Sequence, residues 1–223
     1  MTEGVETVDE ADTTPDEQAR DVRLPTPRLV LRDVVAADVD TLLRYWAEPE
    51  SHPMILRSQR DPVRSGRFLR AMAWYNDYAA WQDREAYFLA ICRRDDDTVI
   101  GNCTARYVDR NTVIVGWHLG IAHAGQGYAT EAARALLHFA FDRLGVRLAY
   151  ADCFASNTAV LAVLRKLGMR RMRPRFVLDL MRGLGYRELR PALRHGVHRD
   201  DFLAAWAPED SACGENGSPL PRG

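Results

Sequence analysis

A strand, a glycine-rich turn and a helix follow one another directly in this sequence, and this succession constrains the fold most. Residues 113–115 form an apolar, β-branched run that is typical of a strand, and the strand is predicted to continue through residue 121. The run leads to Gly125, Gln126 and Gly127, and a helix is predicted over residues 128–144. Glycine lets the backbone approach a ligand closely, and the first N–H groups of a helix lack partners within it. The segment therefore predicts a turn that can bind a phosphate group.

A tight structural turn without a ligand is the ordinary alternative for such a segment. The turn is not a P-loop, because no Lys-Ser or Lys-Thr pair follows the glycines. It is not a dinucleotide-binding fingerprint either, because the third glycine position is Thr130. The next segment of the sequence, residues 147–168, favours the interpretation that the turn binds a ligand.

A second strand and helix follow about twenty residues later. Residues 147–154 are typical of a strand, and Asn157 is a capping residue that opens a helix over residues 158–167. Gly168 ends that helix.

The two segments together resemble the GNAT superfamily of acyl-CoA N-acyltransferases, and more narrowly its branch of ribosomal-protein alanine N-acetyltransferases. Residues 124–129, AGQGYA, fill the family motif (Gln/Arg)-x-x-Gly-x-(Gly/Ala), and Asn157 fills the helix-opening position. Residues 24–46 and 87–103 are similar to the branch's opening strand and helix and to its next two strands. The resemblance implies an α/β (α+β) fold, in which a mixed, mostly antiparallel sheet is splayed at its centre and has helices on both faces.

The resemblance implies acetyl-CoA, or another acyl-CoA, as the cofactor. Backbone groups of the splayed strand would contact the pantetheine arm, the helix start would hold the pyrophosphate, and Asn157 would bond to pantetheine. Asn157 can also be a plain helix cap, and both roles can hold at once. The implied cofactor-binding residues are Leu119, Ile121, Ala124, Gly125, Gln126, Gly127, Tyr128, Ala129, Thr130 and Asn157.

Three positions depart from the family pattern. Ala124 stands at the Gln/Arg position, Ile114 where the branch often has Glu, and Val160 where many members have Ser near the sulfur. The missing acid and base leave His118 as the best catalytic candidate, because its ordinary pKa of about 6.5 suits a general base. The alternative is a packed or exposed strand histidine. Cys153 is expected to be a buried thiol and not an acyl carrier.

The composition predicts one domain between two tails. The chain has 223 residues, 47% of them hydrophobic, which is enough for one sizeable core. Residues 1–21 carry a net charge of −7 and residues 207–223 one of −2, whereas residues 22–206 carry +8. We expect a disordered acidic tail (1–22), an acyltransferase domain (23–206) and a disordered C-terminal tail (207–223). The basic body suits an anionic ligand such as coenzyme A.

The same features bear on location and partners. Four cysteines show neither metal spacing nor a disulfide framework, so free thiols in a cytoplasmic protein are expected. The acidic N-terminus is not a signal peptide, and no apolar run could span a membrane. No nucleic-acid motif is visible, and a monomer or a homodimer is expected.

The remaining elements follow from periodicity. Strands are predicted at residues 28–34, 86–94 and 99–108, and helices at residues 37–48 and 61–82. Two closing strands are placed at residues 171–178 and 187–195, and His195 and His198 are assigned to a solvated turn and not to a metal site. Most aromatic residues of the second helix should pack the core, but Trp74, Tyr78 and Trp117 are candidates for the acceptor pocket.

The sequence thus predicts an N-acetyltransferase that moves an acetyl group directly from acetyl-CoA to a primary amine. The acceptor is a small molecule or a protein N-terminus. The alternative hypothesis is a catalytically degenerate module that binds acyl-CoA without turnover.

Overall fold

The computed structural model of the protein describes residues 21–49, 61–80, 83–172 and 192–206. They form one eight-stranded sheet with helices on both faces. The strands are β1 (Arg23–Pro25), β2 (Leu29–Asp33), β3 (Ala86–Arg93), β4 (Val99–Asp109), β5 (Thr112–Leu119), β6 (Leu148–Phe154), β7 (Arg170–Met172) and β8 (Ala192–His198). The helices are α1 (Val39–Ala47), α2 (Pro62–Tyr78), α3 (Tyr128–His138), α4 (Thr158–Lys166) and α5 (Arg199–Ala205).

The sheet is mixed, as the sequence predicted. Its strand order is β1-β2-β3-β4-β5-β6-β8-β7. Every neighbouring pair is antiparallel except β5 and β6, which run parallel. The parallel pair stands at the centre of the sheet because the chain crosses from β5 to β6 through α3.

Two apolar clusters divide the core between the two faces of the sheet. On β3, Leu89 and Ile91 belong to the cluster that α3 covers, and Phe88 and Ala90 to the cluster that α1 and α2 cover. This follows from the alternation of side chains along a strand. We call the two sides the α3 face and the α1 face.

The two central strands, β5 and β6, separate beyond a short paired stretch. We call the gap between them the splay. β5 and β6 pair from Thr112–Leu148 through Ile114–Tyr150 and no further. Beyond that point β5 stays bonded to β4 as far as Leu119, and β6 stays bonded to β8 as far as Phe154. The splay therefore leaves the facing backbone edges of two central strands without a strand partner.

Several predicted boundaries need correction. The central strand ends at Leu119, because Ile121–His123 forms a 3-10 turn. The second helix ends at Tyr78 and not at residue 82. The third helix is α-helical through His138 and continues as a π-helical turn over Phe139–Arg143.

The C-terminal elements differ most from the prediction. The first closing strand is short, Arg170–Met172, and the second spans Ala192–His198, later in the chain than predicted. Residues 173–191, which hold much of both predicted strands, lie outside the described residues. His195 was assigned to a solvated turn, and this is wrong, because it pairs with Ala151 inside the sheet. β1, with three residues, and α5, with seven, were not predicted, because segments this short show little hydrophobic periodicity. None of the described helices is long and apolar enough to cross a bilayer.

Candidate functional site

The turn before α3 has the backbone conformation that the two glycines suggested. Gly125 has φ of 76° and Gly127, the N-cap of α3, has φ of 84°. Side chains rarely adopt such angles, so glycine is needed at both positions. Glu131 makes the first helical bond back to the Gly127 carbonyl, at 3.1 Å. The N–H groups of the residues between them therefore point out of the helix start.

The turn is also accessible. The backbone from Ala124 to Gly127 is exposed, and a Cβ atom placed on Gly125 would meet nothing within 4 Å. An anion can therefore reach both the exposed turn and the positive end of the helix dipole.

Backbone donors of β5 point into the splay. Gly120 donates its N–H to the Ile100 carbonyl of the β4 side at 3.0 Å. Because N–H directions alternate along a strand, the N–H groups of Trp117 and Leu119 point the opposite way, toward the splay. The N–H of Leu119 is therefore free of β4, and its contact with pantetheine stays a prediction.

Ile121 differs from its predicted role. It lies in the 3-10 turn beyond the strand, and its N–H donates to Oε2 of Glu48 at 2.9 Å. Glu48 follows α1, so a carboxylate from the opposite layer occupies the donor that the resemblance assigned to pantetheine. Periodicity could not reveal a contact across 73 residues.

Asn157 combines burial with a cap. Its side chain is 8% exposed, and Oδ1 accepts the N–H of Val160 at 3.1 Å. The cap uses the carbonyl oxygen of the amide, which leaves Nδ2 as a donor beside the N-terminus of α4. The predicted double role is compatible with this geometry.

His118 lies on the α1 face of β5, opposite Asn102 of β4. Burial lowers its pKa from 6.5 to about 4. The ring is therefore neutral at pH 7 and a weak base, in contrast to the ordinary pKa on which its catalytic assignment rested. His118 lies next to the splay, and its role as the general base stays a prediction.

Asp152 is the carboxylate that the sequence analysis missed. Ala151 and Cys153 of β6 pack into the core of the α3 face, so Asp152 between them faces the α1 side. The last β5–β6 pair is Ile114–Tyr150, so Asp152 stands level with Gly116 across the splay. Glycine adds no side chain there. The Asp152 side chain is 21% exposed, and its two oxygens accept from Arg194 of β8 at 2.8 Å each.

A signal for Asp152 was present in the sequence. It is the only charged residue in the apolar segment LAYADCF of β6. A lone acid in a central strand needs a partner or a function, because burying a charge without either is costly. Cys153 beside it is buried, and burial raises the pKa of its thiol, which disfavours a nucleophile.

The three aromatic residues predicted for the acceptor pocket are not brought together. Trp117 packs against the core of the α3 face, on the opposite side of β5 from His118. Trp74 and Tyr78 are 64% and 74% exposed and stack on each other with ring centres 5.1 Å apart. Both belong to the outer side of α2, because Leu69 and Ala73 form its buried side.

An exposed glycine turn, a splayed pair of strands and a capping Asn are the three features that the sequence predicted for an acyl-CoA site. Residues 28–170 match the family model described as Acetyltransferase (GNAT) domain. The chain belongs to the GNAT acetyltransferase family. The predicted family, fold and acyl-CoA-dependent N-acetyltransferase activity are thereby confirmed.

Individual GNAT relatives are distant. The N-acetyltransferase p20 of Bacillus licheniformis is 29% identical over 150 residues, which are 66% of this chain and 82% of p20. Among solved structures, the ribosomal-protein acetyltransferase RimL in complex with coenzyme A superposes with a TM-score of 0.61 at 16% identity, over 79% of this chain and 98% of RimL. FdhC, a nucleotide-linked sugar GNAT, superposes with a TM-score of 0.62 at 18% identity, over 82% of this chain and 93% of FdhC. At such identities the structures share the fold alone.

Proposed function

We propose that this GNAT domain transfers an acetyl group from acetyl-CoA directly to a primary amine that enters the splay from the α1 face. The acceptor is an amine of a small molecule or of a protein N-terminus. One observation carries the proposal. Pairing of β5 with β6 ends at Ile114 and Tyr150, so the two strands part before the glycine turn that follows β5 and before Asn157, which follows β6.

The cofactor would bind mostly through backbone groups. The N–H groups from Gly125 to Thr130 would hold the pyrophosphate, because the exposed turn and the helix dipole favour an anion. The backbone of Leu119 and Nδ2 of Asn157 would hold the pantetheine arm. RimL, which superposes on this chain, was solved with coenzyme A, and this supports the choice of cofactor.

The chemistry is an addition followed by an elimination. The nitrogen lone pair attacks the thioester carbonyl carbon, and the new C–N bond pushes charge onto the carbonyl oxygen. The N–H of Trp117, next to Gly116 at the level of Asp152, is positioned to stabilise that oxyanion. Collapse breaks the C–S bond, and the coenzyme A thiolate leaves.

Two side chains on the α1 face can handle the proton. We assign Asp152 to hold the acceptor ammonium and to receive the proton that the amine loses, because the strand register places it level with Gly116 across the splay. His118 lies on the same face as a neutral imidazole and can accept a hydrogen bond from the amine. Because burial makes His118 only weakly basic, positioning supplies most of the rate.

The test is an acetyl-CoA consumption assay with thiol detection across amines of several classes, namely amino acids, amino sugars, peptides with free N-termini and arylalkylamines. We expect release of coenzyme A that depends on the amine and matches the acetylated product. Tight coenzyme A binding without turnover on any amine would contradict the proposal and support the acyl-CoA-binding module.

A further inference from the structure

Arg28, immediately before β2, reaches the start of α3 from 98 residues away. Its Nε donates to Oε2 of Glu131 at 2.7 Å, and its Nη1 donates to the Gln126 carbonyl at 3.0 Å. The guanidinium carbon lies 4.6 Å from the centre of the Tyr128 ring. These contacts fix the cation against the glycine turn.

The third nitrogen of the guanidinium remains available. A Cβ atom placed on Gly127 would lie 3.4 Å from Nη2 of Arg28, so this nitrogen stands beside the turn. Within the described part of the chain, Nη2 donates to no acceptor, and the side chain is 49% exposed. A guanidinium held in this way presents its remaining N–H groups to solvent at the helix start.

Arg28 offsets the negative charge that Glu131 places in the first turn of α3. Burial alone would raise the pKa of Glu131, but hydrogen bonds from Thr26 and Arg28 outweigh it, and the pKa is lowered. Glu131 is therefore an anion in the first turn of α3, where it would repel a phosphate. The arginine neutralises this charge.

We propose that Arg28 binds a phosphate group of the acyl-CoA and supplies the polar side chain that the motif lacks at Ala124. Arginine suits this role because its planar fork matches phosphate oxygens. The inference rests on the proposed binding of acyl-CoA at the glycine turn. It adds a residue that stands about one hundred positions before the motif and immediately precedes a different strand, β2.

The test compares ligands with and without phosphates. Calorimetry would measure the affinity of wild type and Arg28→Gln for coenzyme A, dephospho-coenzyme A and pantetheine. We expect the variant to bind coenzyme A at least tenfold more weakly, about 1.4 kcal/mol, and pantetheine as wild type does. Dephospho-coenzyme A lacks the 3′-phosphate but keeps the pyrophosphate, so its affinity shows which of the two groups Arg28 contacts. Unchanged coenzyme A affinity, or an equal loss for pantetheine, would overturn the proposal.

Two further variants separate phosphate binding from structural support. Glu131→Gln breaks the ion pair but keeps the guanidinium, so coenzyme A affinity should hold or rise. A loss as large as that of Arg28→Gln would mean that the pair only shapes the turn. Arg94→Gln is the matched control, because Arg94 is exposed and its Nη1 donates to the Thr26 carbonyl at 3.3 Å. If wild type binds no coenzyme A, the proposed function fails; if only the Arg28 effect is absent, this inference alone fails.

Discussion

Arg194 of β8 donates two parallel hydrogen bonds to the carboxylate of Asp152 of β6, each 2.8 Å long. The guanidinium carbon also lies 3.8 Å from the centre of the Tyr150 ring. Bidentate pairing fixes the orientation of a carboxylate as well as its charge. Each oxygen keeps a lone pair, so the carboxylate can still accept from an ammonium at the border of the splay.

Removing the charge of Asp152 should therefore slow the reaction. Asp152→Asn keeps the size of the side chain but cannot take a proton, and kcat/KM for an amine that is protonated at neutral pH should fall by roughly 10²-fold or more. Coenzyme A affinity should not change, because Asp152 lies on the α1 face whereas the glycine turn leads into α3 on the opposite face. Steady-state kinetics and calorimetry measure the two effects.

Asp142→Asn serves as the control, because Asp142 is exposed and lies at the end of the α3 region, away from the splay. It should leave both quantities unchanged. An Asp152→Asn enzyme with a rate near that of wild type would remove Asp152 from the mechanism.

Two substitutions of Asn157 can separate its roles. Asn157→Asp keeps an oxygen for the Val160 N–H but loses Nδ2, so stability should hold while coenzyme A affinity falls. Asn157→Ala loses both groups, and its free energy of unfolding should drop by about 1 kcal/mol, the usual value of an N-cap. Urea denaturation and calorimetry provide the measurements. Normal affinity in Asn157→Asp would mean that the residue is only a cap.

Burial of His118 predicts a loss of stability in acid. The unfolded chain protonates this ring from about pH 6.5 downward, whereas the folded chain does so only near its pKa of about 4. The unfolded state thus binds more protons between these values, and the free energy of unfolding should fall through this window by up to about 3 kcal/mol.

His118→Gln removes this dependence, because glutamine does not titrate. The difference in unfolding free energy between wild type and variant should therefore shrink as pH falls from 7 to 4.5, as measured by urea denaturation at each pH. When the rate is plotted against pH, wild type should also show no change near neutral pH that is lost in His118→Gln. An equal slope of stability with pH in both proteins would contradict the burial argument.

The acidic N-terminal residues should be dispensable for folding. Val22 is 1% exposed and donates its N–H to Asp33 at 3.0 Å, so the domain needs the chain from this residue on. A protein that begins at Arg20 keeps that amide and loses most of the negative charge of residues 1–21. Its melting temperature should match that of the full chain. A clear drop would show that the acidic residues dock on the basic body.

The sequence by itself determined the local parts of the site. The glycines at 125 and 127 mark the turn because its positive φ angles suit no other residue well. Asn157 opens α4, because a capping side chain bonds to a backbone N–H only three residues away. Such signals depend on neighbours in the chain, so a pattern can show them. The apolar runs of the main strands likewise made it possible to predict most of the sheet.

The tertiary structure alone decided which distant residues meet. Asp152 borders the splay because β5 and β6 stop pairing at Ile114–Tyr150, a register that no local pattern encodes. Arg28 reaches Gln126 because α3 packs over β2. The pKa of His118 depends on the side chains that bury it, and burial is a property of the packed molecule. Contacts over many residues and the desolvation of charged groups exist only once the layers have assembled, so the turn could be predicted and the groups around it could not.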